Sequence, residues 1–446
     1  MQKTPLAIAS AGAFVAALST SLVAVSAPVI ARDLAASSGD VSWVLSAYLL
    51  AVSSLLALAG KLADVLGRRR VYLTGFVFFV AGAAMCAAAK DLFALVGARV
   101  LQGAGAAMLM AVGPAIVTRA VPPSRRARAL GVQLAATYVG LTLGPGAGGL
   151  LAARIGWHAV FVTIAGAGVM GLAAAALLLP ADDHDGRGAA GASALDLPGA
   201  LLFALGLSTL LVAMKRTHDE GWASRSVLLL GALSLVTLAV FVRHAALHPA
   251  PLLPLGLFRR PAFAFGVLGA LVLYTVTFML AYLLPFHLQR DAGLSPAHAG
   301  ALMTAQPATM AVVAPLSGVV ADRWGPRLPS SAGMLAIAGG MTSVAATAAA
   351  PGARLVLSLA LVGLGAGLYG APNSALVMGA APRDRQATAA AMAATARNVG
   401  MTLGIAVAAS LDRAVGFRGA LLVAAGLAAL GALLGVVRPV AAPGST

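Results

Sequence analysis

Apolar runs of about 20 residues recur along the whole chain, and they constrain its fold more than any other feature. The mean hydropathy is +0.93, and only 10% of the residues are charged. A soluble protein of this length needs more charge to cover its surface. Each run is long enough to cross roughly 30 Å of hydrocarbon as a helix, whereas the short alternating strands of a membrane β-barrel are absent from the sequence. The sequence therefore predicts an all-α polytopic membrane protein.

We count fourteen such runs. The first ends near Ile30 and is too long for a cleaved signal peptide, so we expect it to be retained. If the N-terminus lies in the cytoplasm, more of the 30 Lys and Arg fall in cytoplasmic loops than in outer loops. This bias predicts a multi-pass protein of a bacterial inner membrane with both termini in the cytoplasm. It also accounts for the net charge of +16 without nucleic-acid binding.

Three motifs occur twice, about 260 residues apart. GKLADVLGRRR (60–70) matches GVVADRWGPR (318–327), VGLTLG (139–144) matches VGMTLG (399–404), and PPSRRARA (122–129) matches APRDRQAT (381–388). The second and fifth spans thus repeat as the tenth and thirteenth. We predict six-helix bundles at 1–180 and 253–446, with a linker and two additional helices at 181–252. Two such parallel halves hold substrate between them near the midplane.

Other functional classes lack their chemistry in this chain. The single cysteine, Cys86, excludes an internal disulfide, and the seven His are scattered without metal-ligand spacing. We find neither a Gly-rich phosphate loop nor a catalytic constellation. We therefore expect no metal, no cofactor and no enzymatic activity.

Seven ordered motifs resemble the major facilitator superfamily, specifically its fourteen-helix drug:proton antiporter branch: WVLSAYLLA (43–51), GKLADVLGRRR, RVLQGAGAAM (99–108), GLTLGPGAGG (140–149), GLSPAHAGALM (293–303), GVVADRWGPR and ARNVGMTLG (396–404). The resemblance implies a secondary transporter that exports lipophilic small molecules, such as antibiotics or metabolites, by alternating access in exchange for protons. Its expected partners are a small-molecule substrate, protons and the lipid bilayer, but no nucleic acid. We expect a monomer.

The charged motif after the second span is a candidate gate. An aspartate near a helix end accepts backbone hydrogen bonds or pairs with a guanidinium, and a few such bonds suit a reversible latch. By resemblance, the cytoplasmic gate comprises Gly60, Asp64, Gly67, Arg68, Arg69 and, in the second half, Asp322 and Arg327. The alternative, that these cations are positive-inside anchors, stays open, above all for Arg70.

The fifth span carries a glycine stripe. Gly140, Gly144 and Gly148 share one helix face, which lets a second helix approach closely, and Pro145 can bend the helix. Together with Gly149 they form a GxxxGPxxGG pattern that marks exporters in the family resembled. Ordinary helix packing is the alternative interpretation.

The spans lack a central carboxylate. All 14 Asp and Glu fall at predicted span ends or in loops, and Ser19 stands where the family's first helix usually carries Asp. Proton antiport ordinarily uses an intramembrane acid, which also attracts cationic drugs. Its absence casts doubt on proton coupling and favours neutral or anionic substrates.

Polar residues within the spans predict a substrate cavity. We assign to it Ser19, Arg99, Gln102, Tyr138, Tyr274, Gln306, Asn373, Arg397 and Asn398. Each alternatively bonds a neighbouring helix, and each arginine alternatively reaches the membrane surface. A second functional hypothesis is a facilitator or importer of an organic anion, with Arg99 and Arg397 as counter-charges.

Overall fold

The computed structural model describes residues 3–122, 126–180, 196–221, 223–249, 251–253, 255–348, 351–381 and 386–437. Helices dominate these residues, and none of the described residues lies in a β-strand, which confirms the all-α prediction. The first half of the chain forms α1 (Lys3–Asp33), α2 (Ser38–Leu66), α3 (Arg68–Ala88), α4 (Leu92–Arg119), α5 (Arg126–Arg154), α6 (Trp157–Leu178) and α7 (Leu197–Glu220).

The second half of the chain is also helical. It forms α8 (Arg225–Leu247), a 3₁₀ turn (Leu255–Arg259), α9 (Pro261–Phe286), a π-helical turn (His287–Asp291), α10 (Pro296–Met303), α11 (Ala305–Trp324), α12 (Arg327–Thr347), α13 (Ala353–Gly379) and α14 (Gln386–Val437). A helix satisfies its backbone polar groups internally, and hydrocarbon offers them no other partner.

Twelve segments of the described chain are long and apolar enough to cross a membrane. One of them, Pro296–Ala321, joins α10 to α11 across a turn at Thr304. Another, Met392–Leu433, contains two helices, because Gly416 breaks α14 with a φ of 70°. The 21-residue α12 is not among the twelve. The helices are thus compatible with fourteen spans.

The helices form two compact units. The first comprises Met1–Thr209 and Leu288–Thr304, and the second comprises Leu210–His287 and Ala305–Thr446. The segment 288–304 therefore belongs to the first unit although the chain on either side of it belongs to the second. The bundle limits expected from the sequence, at 180 and 253, remain a prediction.

The packing within each unit follows the sequence repeat. In the first unit α4 packs against α2 and α3, and α1 packs against α5; in the second unit α13 packs against α11 and α12, and α9 packs against α14. Glycines mark equivalent crossings. A Cβ on Gly105 would collide with the carbonyl oxygen of Gly75, and one on Gly365 would collide with that of Gly333. Both units thus use the same close helix approach.

The glycine stripe of α5 lies against α1. The Ser21 hydroxyl donates to the Gly140 carbonyl oxygen over 3.1 Å, and a Cβ on Gly148 would lie 2.7 Å from the Leu22 carbonyl oxygen. Gly144 faces the Ser21 side chain. On another side of α5, Gly149 meets α10, where a Cβ would lie 3.2 Å from the Cα of Gly300. The stripe therefore allows one helix to contact two neighbours at backbone distance.

We expect Gly148→Ala to destabilise the protein, because the new methyl group has only the Leu22 backbone in front of it. Overpacking of this kind costs about 1–3 kcal/mol. Gly131→Ala is the matched control, since it lies in the same helix with nothing within 4 Å of its Cβ position. Thermal unfolding of the purified variants in detergent measures both. Equal melting temperatures would show that α1 and α5 are not in tight contact.

Candidate functional site

A buried polar cluster joins α1, α2 and α4 in the first unit. The side chains of Ser19 on α1 and of Arg99 and Gln102 on α4 have no exposed surface. Asp91 caps α4 by accepting the Ala94 amide over 2.8 Å, which fixes where the helix begins and so places Arg99 two turns in. We call these three residues, with Tyr48 of α2, the Arg99 cluster.

The guanidinium of Arg99 is held by neutral groups. Its Nε donates to the Val44 carbonyl oxygen over 2.8 Å, and its Nη1 donates to Gln102 Oε1 over 2.6 Å and to Ser19 Oγ over 3.2 Å. Gln102 Nε2 donates to the same Ser19 oxygen over 3.2 Å. The Tyr48 ring faces the cation at 4.2 Å, within the range of a cation–π interaction. One serine oxygen thus receives two donors, as an anionic oxygen would.

Among the described residues no carboxylate pairs with the positive charge of Arg99. Among the described residues Arg99 forms no ion pair, and its buried Nη2 has no hydrogen-bond partner. The aspartates and glutamate on described helices lie within about one turn of a helix end or break. Donors exceed acceptors in this cluster, so its chemistry suits a negatively charged group.

The sequence indicated three of the four residues of this cluster but missed Tyr48. Ser19, Arg99 and Gln102 were assigned to the cavity from the sequence, and the i, i+3 spacing of Arg99 and Gln102 is compatible with the contact between them. Tyr48 and the Val44 carbonyl were not assigned. The only signal was the position of Tyr48 in an apolar run, within the motif WVLSAYLLA.

The remaining residues assigned to the cavity lie on other helices, and their role in a cavity stays a prediction. Asn373 on α13 donates from Nδ2 to the Gly266 carbonyl oxygen and accepts the Tyr369 hydroxyl, while Asn398 on α14 donates to the Ala394 carbonyl oxygen. These amides bond their surroundings within the second unit. The other four are partly buried: Tyr138, Tyr274, Gln306 and Arg397.

The predicted gate of the first half includes the sharp turn between α2 and α3. Gly67 has a φ of 96°, and its second-half counterpart Gly325 has a φ of 75°, a region that favours glycine. Gly60 lies earlier in α2 with open space beside it. The side chains of Asp64 and Asp322 lie outside the described part of the structure, so the latch stays a prediction.

Two arginines of this motif contact carbonyls of their own unit. Arg68 Nη1 donates to the Ala115 carbonyl oxygen of α4 over 3.4 Å. Arg69 donates from Nε to Leu179 over 3.0 Å and from Nη2 to Ala176 over 2.7 Å, which places its charge at the C-terminus of α6. A cation at this end of a helix is stabilising. Arg327 lies partly buried at the start of α12.

We expect Arg69→Ala to destabilise the end of α6, because two terminal carbonyls lose their charged donor. The expected loss is about 1 kcal/mol of unfolding free energy. Arg70→Ala is the control, since Arg70 is exposed in the same turn of α3. Thermal unfolding in detergent compares the two variants. If both lower the melting temperature equally, the carbonyl contacts of Arg69 contribute nothing specific.

Known proteins place this fold and its motifs in one family. The family model of the Major Facilitator Superfamily matches residues 9–286 and 266–445. The chain belongs to the major facilitator superfamily. It is 30% identical over 404 residues to the riboflavin transporter RibZ of Clostridioides difficile (strain 630), which covers 90% of this chain and 86% of RibZ.

Two further comparisons agree with this assignment. The chain is 30% identical over 406 residues to the tetracenomycin C resistance and export protein of Streptomyces glaucescens, covering 91% of this chain and 74% of that protein. The inward-open xylose transporter XylE from E. coli has the same fold, with a TM-score of 0.71, 15% identity and coverage of 100% and 98% of the two chains. Members of this superfamily are transporters, and antibiotic exporters are among the relatives of this chain.

Proposed function

We propose that this chain is a secondary transporter of a bacterial inner membrane that exports lipophilic small molecules by alternating access. The observation that carries the proposal is the GxxxGPxxGG pattern of α5, which marks exporters in the family resembled. The close approach of its glycines to α1 and α10 is the helix packing that this pattern allows. The tetracenomycin C exporter among its relatives supports the same direction. The chain acts as a monomer with both termini in the cytoplasm.

The segment 288–304 supports alternating access. It packs on α5 through Gly149 and Gly300, and Gln289 Nε2 donates to the Val25 carbonyl oxygen of α1 over 2.9 Å. The π-helical turn at His287–Asp291 and the turn at Thr304 bracket this segment. Short backbone irregularities of this kind absorb changes of direction when helices rock.

Transport into inverted membrane vesicles tests the direction. Vesicles that contain this chain are expected to accumulate tetracenomycin C or riboflavin, the compounds named for its relatives, above the level of vesicles without it. Efflux from preloaded inverted vesicles instead would favour the alternative, a facilitator or importer of an organic anion. If neither compound moves in either direction, export of this substrate range is wrong.

Proton coupling follows from the family resemblance alone, and Arg99 here faces Ser19 at the position where the family's first helix usually carries an acid. Dissipating the pH gradient with nigericin is expected to abolish accumulation in the same vesicles if protons drive export. Accumulation that persists without a pH gradient would exclude proton antiport and leave export standing.

Ser19→Asp is expected to increase uptake of the cationic dye rhodamine 123 into inverted vesicles by about three- to tenfold. A tenfold increase corresponds to a free-energy difference of about 1.4 kcal/mol. The carboxylate would lie beside Arg99 Nη1 and neutralise the buried positive charge that repels a cation. Ser19→Asn is the control, with a similar size and no charge. If Asp and Asn behave alike, the charge at this position does not determine cation selectivity.

A further inference from the structure

The internal repeat supplies a control for the Arg99 cluster. Gly103 of α4 lies so close to α2 that a Cβ would be 2.5 Å from the Tyr48 carbonyl oxygen, and Gly363 of α13 meets the Gln306 carbonyl oxygen of α11 in the same way. Four residues before these glycines stand Arg99 in the first unit and Leu359 in the second. The two positions are therefore equivalent.

The neighbouring position follows the same correspondence. A Cβ on Gly82 would lie 2.5 Å from the Gln102 amide nitrogen, and one on Gly340 would lie 2.9 Å from that of Val362. Leu359 and Val362 are fully buried, as Arg99 and Gln102 are. The second unit thus builds the same helix crossing with two apolar side chains where the first unit has a guanidinium and an amide.

This difference removes the structural reason for a buried charge. Burying an arginine without a counter-ion is costly, and apolar residues often replace buried charges without loss of stability. The helix crossing does not require Arg99, because Leu359 serves it equally well in the second unit. Because the fold does not require Arg99, the free-energy cost of burying its charge indicates that Arg99 has a role in binding.

We propose that the Arg99 cluster is a binding site for a single anionic group, with Arg99 Nη2 as the open donor. The ligand is either an acidic group of the exported molecule, such as a carboxylate or phenolate, or a free chloride ion. Among the described residues Nη2 has no hydrogen-bond partner, whereas Nη1 of Arg99 and Nε2 of Gln102 both donate to one serine oxygen. If the ligand is an acidic group of the exported molecule, the proposal rests on the proposed export function. If the ligand is chloride, it does not.

The site is closed in this structure. Ser19 and Arg99 have no exposed surface, and Tyr48 is 2% exposed. An anion reaches Nη2 only when α1 or α2 shifts away from α4. Binding therefore stabilises the shifted arrangement of the first unit over the closed one, which couples occupancy of the site to a conformational change.

The decisive variant carries Arg99→Leu and Gln102→Val, which copies the second unit's packing into the first. Its melting temperature is expected to equal or exceed that of the unmodified protein. The anionic xanthene dye fluorescein, followed by fluorescence anisotropy in chloride-free sulfate buffer, is expected to bind at least tenfold more weakly to this variant. Arg354→Gln is the control, because it removes an exposed cation from the second unit and should leave the affinity unchanged.

A second measurement separates the two sources of the anion. If the site takes chloride, replacing sulfate by chloride at constant ionic strength raises the melting temperature of the unmodified protein and not that of the double variant. If it takes the acid of the substrate, fluorescein binds in an Arg99-dependent way and chloride has no effect. Indifference of the unmodified protein to both anions, equal binding by the double variant, or failure of that variant to fold would each overturn the proposal.

Failure of the proposed anion site can be distinguished from failure of the proposed export function. Accumulation of tetracenomycin C in inverted vesicles tests export without measuring anion binding at Arg99. If export holds while fluorescein and chloride bind independently of Arg99, only the anion site is wrong. If anions bind through Arg99 while vesicles accumulate nothing, the site stands and export does not.

Discussion

Backbone contact at glycine is the interaction on which both units depend. Lipid tails are as apolar as leucine, so the hydrophobic effect does little to bring membrane helices together, and close van der Waals packing takes its place. Two glycines in each unit let one helix approach the backbone of the next: Gly75 and Gly105 in the first unit, and Gly333 and Gly365 in the second. Because a methyl group at Gly105, Gly333 or Gly365 would first meet a backbone atom rather than a flexible side chain, the helix spacing is fixed.

The repeat explains why one polar cluster stands out. Both units contain the same close helix crossing, at Gly103 in the first unit and at Gly363 in the second. The side chain four residues before this glycine is Arg99 in the first unit and Leu359 in the second. A fold-level requirement would apply to both units, whereas a ligand-binding requirement applies where the ligand binds. The comparison within one chain thus favours a role for Arg99 other than helix packing.

Much of the fold followed from the sequence. The apolar runs predicted the helices, and the repeated motifs predicted which helices correspond, since α1 with α5 and α9 with α14 pack in the same way. Membership of the segment 288–304 in the first unit was not predictable. Local hydropathy shows that a segment crosses the membrane, but the neighbour it packs against depends on complementary surfaces such as Gly149 and Gly300.

By itself, the sequence determined the helical class, the internal repeat, the glycine stripe and the absence of acids from the middle of the predicted spans, because these depend on residue type and spacing along one chain. Only the tertiary structure decided that Arg99 lies against Ser19 and Tyr48, and that its Nη2 has no hydrogen-bond partner within the described part of the chain. These residues come from three helices, and no local pattern encodes which side chains meet across helix interfaces. The contact arises from packing, and packing is what turns an unusual serine into a candidate anion site.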